Sequence, residues 1–360
     1  LFQRERGAQA AVIKDRANMN FNIGKKFQSK IKNRVGLDIG SSFVKMVEIA
    51  SSGENLSLVC LGMKKASSSI REPLIEAIRS LSGEINVTAK EAVISVSGPH
   101  VIVRFVAMPK MRDDELKGAI KFEAEKHIPF PINDCIVDHQ ILRKNDKEGK
   151  LEILLVAAKK DFIMNKVSIV EESGFSVNAV NVDTFAFANA FLKNPSRASA
   201  GKTAALLNIG SSFTNVGIVR DGVICFARDI VIGGDDFSQA ISKALGIDVK
   251  AAEDLKLSPK DRLKDVTACT KNIMNNLLDD TRLSLSYYEN QSGKSVDEIC
   301  ISGGSSSLPG LETLFQEAFE SKPVLWDPFD SLDKSRGGFD TSLVEKMKGC
   351  FAVAVGLALR

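Results

Sequence analysis

Leu37-Asp38-Ile39-Gly40-Ser41-Ser42-Phe43-Val44-Lys45-Met46-Val47-Glu48-Ile49 is the stretch whose reading decides the fold. An apolar strand over 35–39 carries an Asp, turns on Gly-Ser-Ser and returns as a second strand from residue 43. The turn of such a hairpin offers backbone N–H groups and two hydroxyls, with Lys45 nearby. That combination suits a polyphosphate: the amides bind oxygens, the ammonium adds a point charge, and Asp38 is placed to hold Mg²⁺ directly or through water. Read alone, the turn fits an ordinary hairpin equally well, because Gly-Ser turns between strands are common.

A second copy shifts the balance. Leu207-Asn208-Ile209-Gly210-Ser211-Ser212-Phe213-Thr214-Asn215-Val216-Gly217-Ile218-Val219 repeats the first stretch 170 residues later, with Leu, Ile, Gly, Ser, Ser and Phe in register. So long a period implies two similar domains. Two such hairpins facing each other would clamp the phosphates of one nucleotide, with Asp38, Gly40, Ser41, Ser42 and Lys45 on one side and Gly210, Ser211, Ser212 and Thr214 on the other. Downstream, a strand over 296–301 feeds Ser302-Gly303-Gly304-Ser305. A glycine pair there lets the backbone approach a flat purine ring, although a plain strand-to-helix loop also explains it.

Composition narrows the class. A chain of 360 residues with 44% hydrophobic and 26% charged residues is that of a globular protein with two or more domains. A net charge of +3, one Trp and two Tyr argue against nucleic acid as a partner. Cys60, Cys135, Cys225, Cys269, Cys300 and Cys350 are dispersed without metal or redox spacing, which reads as reduced thiols. His100, His127 and His139 form no metal motif. The apolar run 350–359 is shorter than the ~20 residues that span a bilayer, and no signal peptide is visible, so the expected location is the cytoplasm.

Taken in order, residues 1–34 read as a flexible, basic lead-in, with Met19 as the natural start and 1–18 as a non-native extension. Contact of that tail with anionic lipid is the alternative. A first domain spans 35–203 and contains an α+β insert over about 101–183, in which Leu116, Ile120 and Ala124 mark one helix face. A second domain spans 204–360, with a helical subdomain over about 236–297. It holds a short helix with Glu253 and Lys256 on one face and a long helix over 260–289. The stripe Leu263, Val266, Thr270, Ile273, Leu277, Thr281 and Leu285 on that long helix reads as core. The C-terminal 355–359 reads as a buried helix, and Asp235 as either a general base or a helix cap.

Asp-Gly hairpin, second hairpin and strand–Gly–Gly–helix, in that order, resemble the actin/sugar-kinase ATPase superfamily, whose phosphate-1, phosphate-2 and adenosine motifs they match. The resemblance covers about 35–360. Ala252-Glu253-Asp254-Leu255-Lys256 resembles a segment found near the nucleotide in actin-like bacterial members. Gly36 to Ser42 with Lys45 and Glu48, the position of the insert, and Phe122-Glu123-Ala124-Glu125-Lys126-His127-Ile128-Pro129-Phe130-Pro131 resemble the PilM family, which is similar to the cell-division protein FtsA. This resemblance implies two duplicated α/β domains around a nucleotide cleft that takes ATP and Mg. Glu253 and Lys256 are then expected near the ribose or base, with Gly303, Gly304 and Ser305 under the adenosine. It also implies a cytoplasmic adaptor, peripheral to the inner membrane, that binds the N-terminal tail of PilN and links the pilus assembly complex to its motor. An FtsA-like, membrane-attached protein that self-associates into filaments is the alternative. Asn208 stands where active superfamily ATPases carry Asp, so weak ATPase activity at most is expected. For the partner, an interdomain groove beside the strand 101–106, with Phe105 on its wall, is the expected site, although Phe105 equally fits the core.

Overall fold

The two quoted stretches fold as hairpins with the same geometry. In the computed structural model, which describes residues 33–53, 55–66, 70–145, 149–194, 201–335, 337 and 339–360, β1 (Arg34–Ile39) runs antiparallel to β2 (Phe43–Ser52) and sets Asp38 opposite Lys45. Residues 1–32, where most of the expected tail falls, lie outside the described residues. Asn33 already bonds the Glu48 carboxylate at 2.9 Å, so ordered pairing begins inside the stretch read as tail. β3 (Asn55–Lys65) completes the meander. α1 (Arg71–Glu84) then buries Leu74, Ala77, Ile78 and Leu81, and β4 (Glu91–Val96) returns parallel to β1.

The chain next leaves this sheet. β5 (Val101–Pro109), α2 (Asp113–His127), β6 (Cys135–Asn145) and β7 (Lys150–Lys159) form a separate antiparallel sheet in the order β5-β7-β6. Its core joins Leu116, Ile120 and Ala124 of α2 to Ile153 and Leu155 of β7. α3 (Lys160–Glu172) then carries the chain back, and β8 (Ser176–Val182) pairs parallel with β4 before α4 (Asp183–Lys193). The inserted sheet therefore closes by Lys159, short of the boundary near 183. The sequence shows strand, helix, strand, and only the pairing with β4 assigns the last strand to the first sheet.

The second half repeats the plan. β9 (Thr203–Ile209), β10 (Thr214–Arg220) and β11 (Val223–Ile230) form a meander, followed by α5 (Gly234–Leu245), α6 (Val249–Leu257) and α7 (Leu263–Ser292). β12 (Glu298–Ser302) returns parallel to β9, and α8 (Leu311–Phe319) leads to the short β13 (Val324–Leu325). The sheet orders β3-β2-β1-β4-β8 and β11-β10-β9-β12-β13 are the same plan used twice. On α7 the expected stripe is buried at Val266, Thr270, Leu277, Thr281 and Leu285; Met274 replaces Ile273 at the centre, and Leu263, the first residue of the helix, is exposed.

After α9 (Thr341–Met347), α10 (Ala352–Ala358) closes the core with every residue buried. It packs against β1, β2 and α4, while α4 packs against β9 and β10, so the two helices fill the space between the sheets. The approach is close: a Cβ on Gly356 would lie 1.7 Å from the Ala186 carbonyl oxygen, and one on Gly36 would lie 1.9 Å from that of Ala354.

Candidate functional site

Both hairpin turns close in the same way. Gly40 N–H donates to the Phe43 carbonyl at 3.0 Å, and Gly210 N–H to that of Phe213 at 2.9 Å. Among the described residues, the backbone N–H groups of Ser41, Ser42, Ser211 and Ser212 donate to no protein acceptor. Partly exposed amides without acceptors, on two duplicated turns, are a set of donors suited to an anion.

On the first hairpin, Lys45 Nζ lies 2.7 Å from Asp38 Oδ2. Burial works against the Lys45 charge, but the charge and hydrogen bond of Asp38 more than reverse it, with Cys350 and Asp183 adding to the effect; the ammonium is held above its ordinary range. Lys166 of α3 adds a second cation. Its Nζ donates to the carbonyls of Ser95 at 3.0 Å and Ile39 at 3.3 Å, at the ends of β4 and β1. Burial pushes Lys166 down, against the opposing pull of Asp183 and Asp38. Asp183, the first residue of α4, also influences Asp229 of the other half, so it lies between the two hairpins.

The second hairpin differs in chemistry. Asn208 faces Asn215 across the β9–β10 ladder, and Asn215 faces Asp229 across β10–β11. Asn208 Nδ2 donates to Asn215 Oδ1 at 2.8 Å, and Asn215 Nδ2 donates to Asp229 Oδ1 at 2.8 Å. Asp229 Oδ2 also accepts from Gly98 N–H at 2.7 Å. Burial raises the Asp229 carboxyl, and the bonds from Asn215 and Gly98 pull it back in part. Thr214 departs from expectation: its side chain is fully buried and its hydroxyl donates to the Ile232 carbonyl at 2.8 Å. Adjacent strand residues face opposite ways, so with Asn215 turned toward Asn208, Thr214 cannot face the phosphates.

The N-terminus of α5 sits on the second turn. Gly234 N–H donates to the Gly210 carbonyl at 2.9 Å, Asp235 N–H to that of Ser211 at 2.8 Å, and Ser212 Oγ to Asp235 Oδ2 at 3.0 Å. Asp236, not Asp235, accepts from the Gly233 N–H at the helix cap, at 2.8 Å. Burial, the largest influence on Asp235, raises its carboxyl. Lys256 Nζ contacts the Gly234 carbonyl at 2.8 Å, Ser238 Oγ at 2.9 Å and Glu253 Oε2 at 2.6 Å, which engages all three of its donors; Ser238 also bonds Glu253. The pair thus ties α6 to α5 as a wall beside Ser305, instead of presenting a free cation. Ser305 N–H donates to the Ile209 carbonyl at 3.1 Å, and Gly303 N–H to that of Gly349 at 2.9 Å. Gly303 and Ser305 are buried and Gly304 is exposed.

Hairpin, glycine pair and the Glu253–Lys256 pair therefore converge at one corner. Among the described residues no group of three or more His, Cys, Asp and Glu gathers to hold a metal. A cation here would rest on Asp38, water and ligand oxygens, which is how Mg²⁺ is commonly held. A cavity of about 250 Å³ between α7, β12 and α8, lined by Arg282, Leu285 and Phe319, belongs to the far side of the second sheet. Neither Lys166 nor Asp183 belongs to a motif of the sequence. The apolar spacing of Ile163, Val167 and Val170 does place Lys166 at the edge of the buried face of α3.

The family described as "Type IV pilus assembly protein PilM" matches residues 36–360. This chain belongs to the PilM family of type IV pilus assembly proteins. A solved PilM–PilN type IV pilus biogenesis complex is similar, with 25% identity and a TM-score of 0.80 over 91% of this chain and 98% of that one. Ethanolamine utilization protein EutJ from Carboxydothermus hydrogenoformans shares the fold alone, at 13% identity and a TM-score of 0.55 over 93% and 91% of the two chains. Among curated proteins, the cell division protein FtsA of Bacillus subtilis (strain 168) is 22% identical over 253 residues, 62% of this chain and 57% of FtsA. EutJ of Salmonella typhimurium is 22% identical over 158 residues, 44% of this chain and 50% of that protein. The chain thus spans about half the length of the curated relatives it matches. Within the PilM family assignment, the duplicated sheets are those of the actin-like ATPase fold.

Proposed function

We propose that this chain is a nucleotide-holding adaptor of type IV pilus assembly that docks the cytoplasmic N-terminal tail of PilN. The observation that carries the nucleotide half is the pair of Gly-Ser-Ser turns with free serine amides, set beside Lys45, Asp38 and Lys166. ATP phosphates would lie across Ser41, Ser42, Ser211 and Ser212, with Gly40 and Gly210 shaping the turns and Asp38 holding Mg²⁺ through water. The adenosine would rest on Gly304 and Ser305, above Gly303 and beside the Glu253–Lys256 wall. Bound ATP supplies a phosphoanhydride, and Asn208 offers a neutral amide where turnover calls for a carboxylate. Single-turnover hydrolysis well below ~1 s⁻¹ is therefore expected.

PilN is supported as partner by the family and by the solved PilM–PilN complex. β5 is an edge strand of the inserted sheet, and Val101, Val103 and Phe105 on it are half-buried against the core of the first sheet. An extended peptide can dock at such an edge through main-chain hydrogen bonds and a few apolar anchors. No helix of the described residues is long and apolar enough to cross a membrane. In this reading PilN holds the protein at the inner membrane and brings it to the motor.

Calorimetry tests the proposal. A synthetic PilN tail and Mg-ATP should each bind the intact protein at distinct sites. Lys159 N–H donates to the His100 carbonyl at 3.1 Å, so the ends of the insert are adjacent and 101–159 can be replaced by a short linker. That variant should keep ATP and lose the peptide; no peptide binding to the intact protein would end the adaptor reading.

A further inference from the structure

The two hairpins are built alike, yet the residues at matching positions are not. Asp38 and Lys45 form an ion pair across the first ladder, while Asn208 and Asn215 form an amide pair across the second. A carboxylate reappears one strand further out, at Asp229. The resulting chain of bonds, Gly98 N–H and Asn215 Nδ2 to Asp229, then Asn208 Nδ2 to Asn215 Oδ1, has a fixed direction.

That direction follows from donor and acceptor chemistry. Both Asp229 oxygens accept, Oδ2 from Gly98 N–H and Oδ1 from Asn215, so Asn215 presents its NH₂ to that carboxyl. Asn215 then turns its oxygen to Asn208, which must answer with its own NH₂. With its NH₂ turned to Asn215, Asn208 points its oxygen the other way; that oxygen takes no hydrogen bond from any described residue and belongs to a half-buried side chain near the end of β9. Asn208 occupies the position that matches Asp38, the residue beside Lys45.

We propose that Asp229 and Asn215 are positioning residues that hold the Asn208 amide with its oxygen toward the cleft, making it an acceptor for the water shell of a divalent cation on the bound phosphates. The proposal rests on the nucleotide reading above, and the test separates the two. Asp229→Asn keeps the acceptor for Gly98 N–H but donates to Asn215, which reverses the chain and turns the NH₂ of Asn208 to the cleft. Asn215→Leu cuts the chain without changing charge.

The measurement is the affinity for ATP with Mg²⁺ and with EDTA, beside a melting curve of the nucleotide-free protein. Wild type should bind ATP more tightly with Mg²⁺. In both variants that enhancement should fall by about tenfold, the factor one hydrogen bond gives, and in Asn215→Leu the affinity in EDTA should stay within about twofold. A purely structural network would leave the enhancement unmoved. The rescue is Asn208→Asp with Asp229→Asn, in which Asn215 flips and every bond is satisfied again in reverse. This double variant should melt above Asn208→Asp alone and recover the Mg²⁺ enhancement. An unchanged enhancement in folded Asp229→Asn and Asn215→Leu, or a double variant that melts no higher than Asn208→Asp, overturns the proposal. Wild type that binds no ATP in either condition removes the nucleotide reading, and the cation role with it.

Discussion

Two neighbouring glycines, Gly303 and Gly304, should respond very differently to substitution. Gly303 has φ +97°, and a Cβ there would lie 2.3 Å from the Ile209 carbonyl oxygen and 2.6 Å from the Ile209 nitrogen. Backbone on both sides leaves no flexible side chain to move aside. Strain at this φ costs about 1–3 kcal/mol, and displacing the end of β9 costs about as much again. Gly303→Ala should therefore destabilise by about 2–6 kcal/mol, a drop in Tm on the order of 10 °C. Gly304 is exposed, and its Cβ would meet only Cys350 Sγ, at 3.8 Å. Gly304→Ala should cost less than about 1 kcal/mol, and Gly304→Trp should fold while filling the space assigned to the purine. Melting curves and titration of a fluorescent ATP analogue read both effects. If Gly303→Ala melts with Gly304→Ala, the close approach to Ile209 is wrong. If folded Gly304→Trp binds ATP as wild type does, the adenosine end is elsewhere.

Lys45→Met leaves Asp38, 9% exposed at its side chain, as an unpaired buried charge; it should destabilise by about 3–5 kcal/mol in chemical denaturation and abolish Mg-ATP binding, and adding Asp38→Asn should recover much of the stability but not the binding. Cys60 is pushed up to about 12 by burial, then by the neighbouring Glu48 carboxylate. Because the folded value lies above that of the unfolded thiol, the stability it contributes is whole below pH 9 and is lost as pH rises toward 12, which denaturation across that window measures. At pH 8 alkylation followed by mass spectrometry should label half-buried Cys135, Cys225 and Cys269 before buried Cys60, Cys300 and Cys350.

What the sequence made legible was local. Alternating apolar residues on either side of Gly-Ser-Ser specify a hairpin, and a hairpin places Asp38 opposite Lys45 without further information. The repeat at Asn208 and the glycine pair extended that reading to the second sheet. What stayed hidden depends on which distant strands become neighbours. Lys166 reaches Ser95 and Ile39 only because α3 crosses the ends of β4 and β1. Asp229 joins the site only because β11 is the third strand of a meander whose register sets it opposite Asn215. β8 reads as part of the insert until its pairing with β4 is seen, and a strand as short as β13 carries no periodicity. Thr214 is a different kind of miss, since pleating alone separates it from Asn215.

The divergence between the hairpins bears on why such a protein would hold a nucleotide without rapid turnover. Neighbouring strands lie about 4.8 Å apart, so moving a carboxylate from position 208 to 229 puts it two strands away from where the duplicated plan has Asp38. Coulombic influence falls at least in proportion to distance, and the intervening Asn215 amide turns a donor to the carboxylate and stabilises it where it is. A water on that side of the cleft then faces a neutral oxygen, which can accept a hydrogen bond but cannot take a proton as a carboxylate would. The displaced charge is held in place by Gly98 N–H, three residues before the chain enters β5. The carboxylate missing at 208 thus reappears at Asp229, where it ties the second sheet to the connection between β4 and β5.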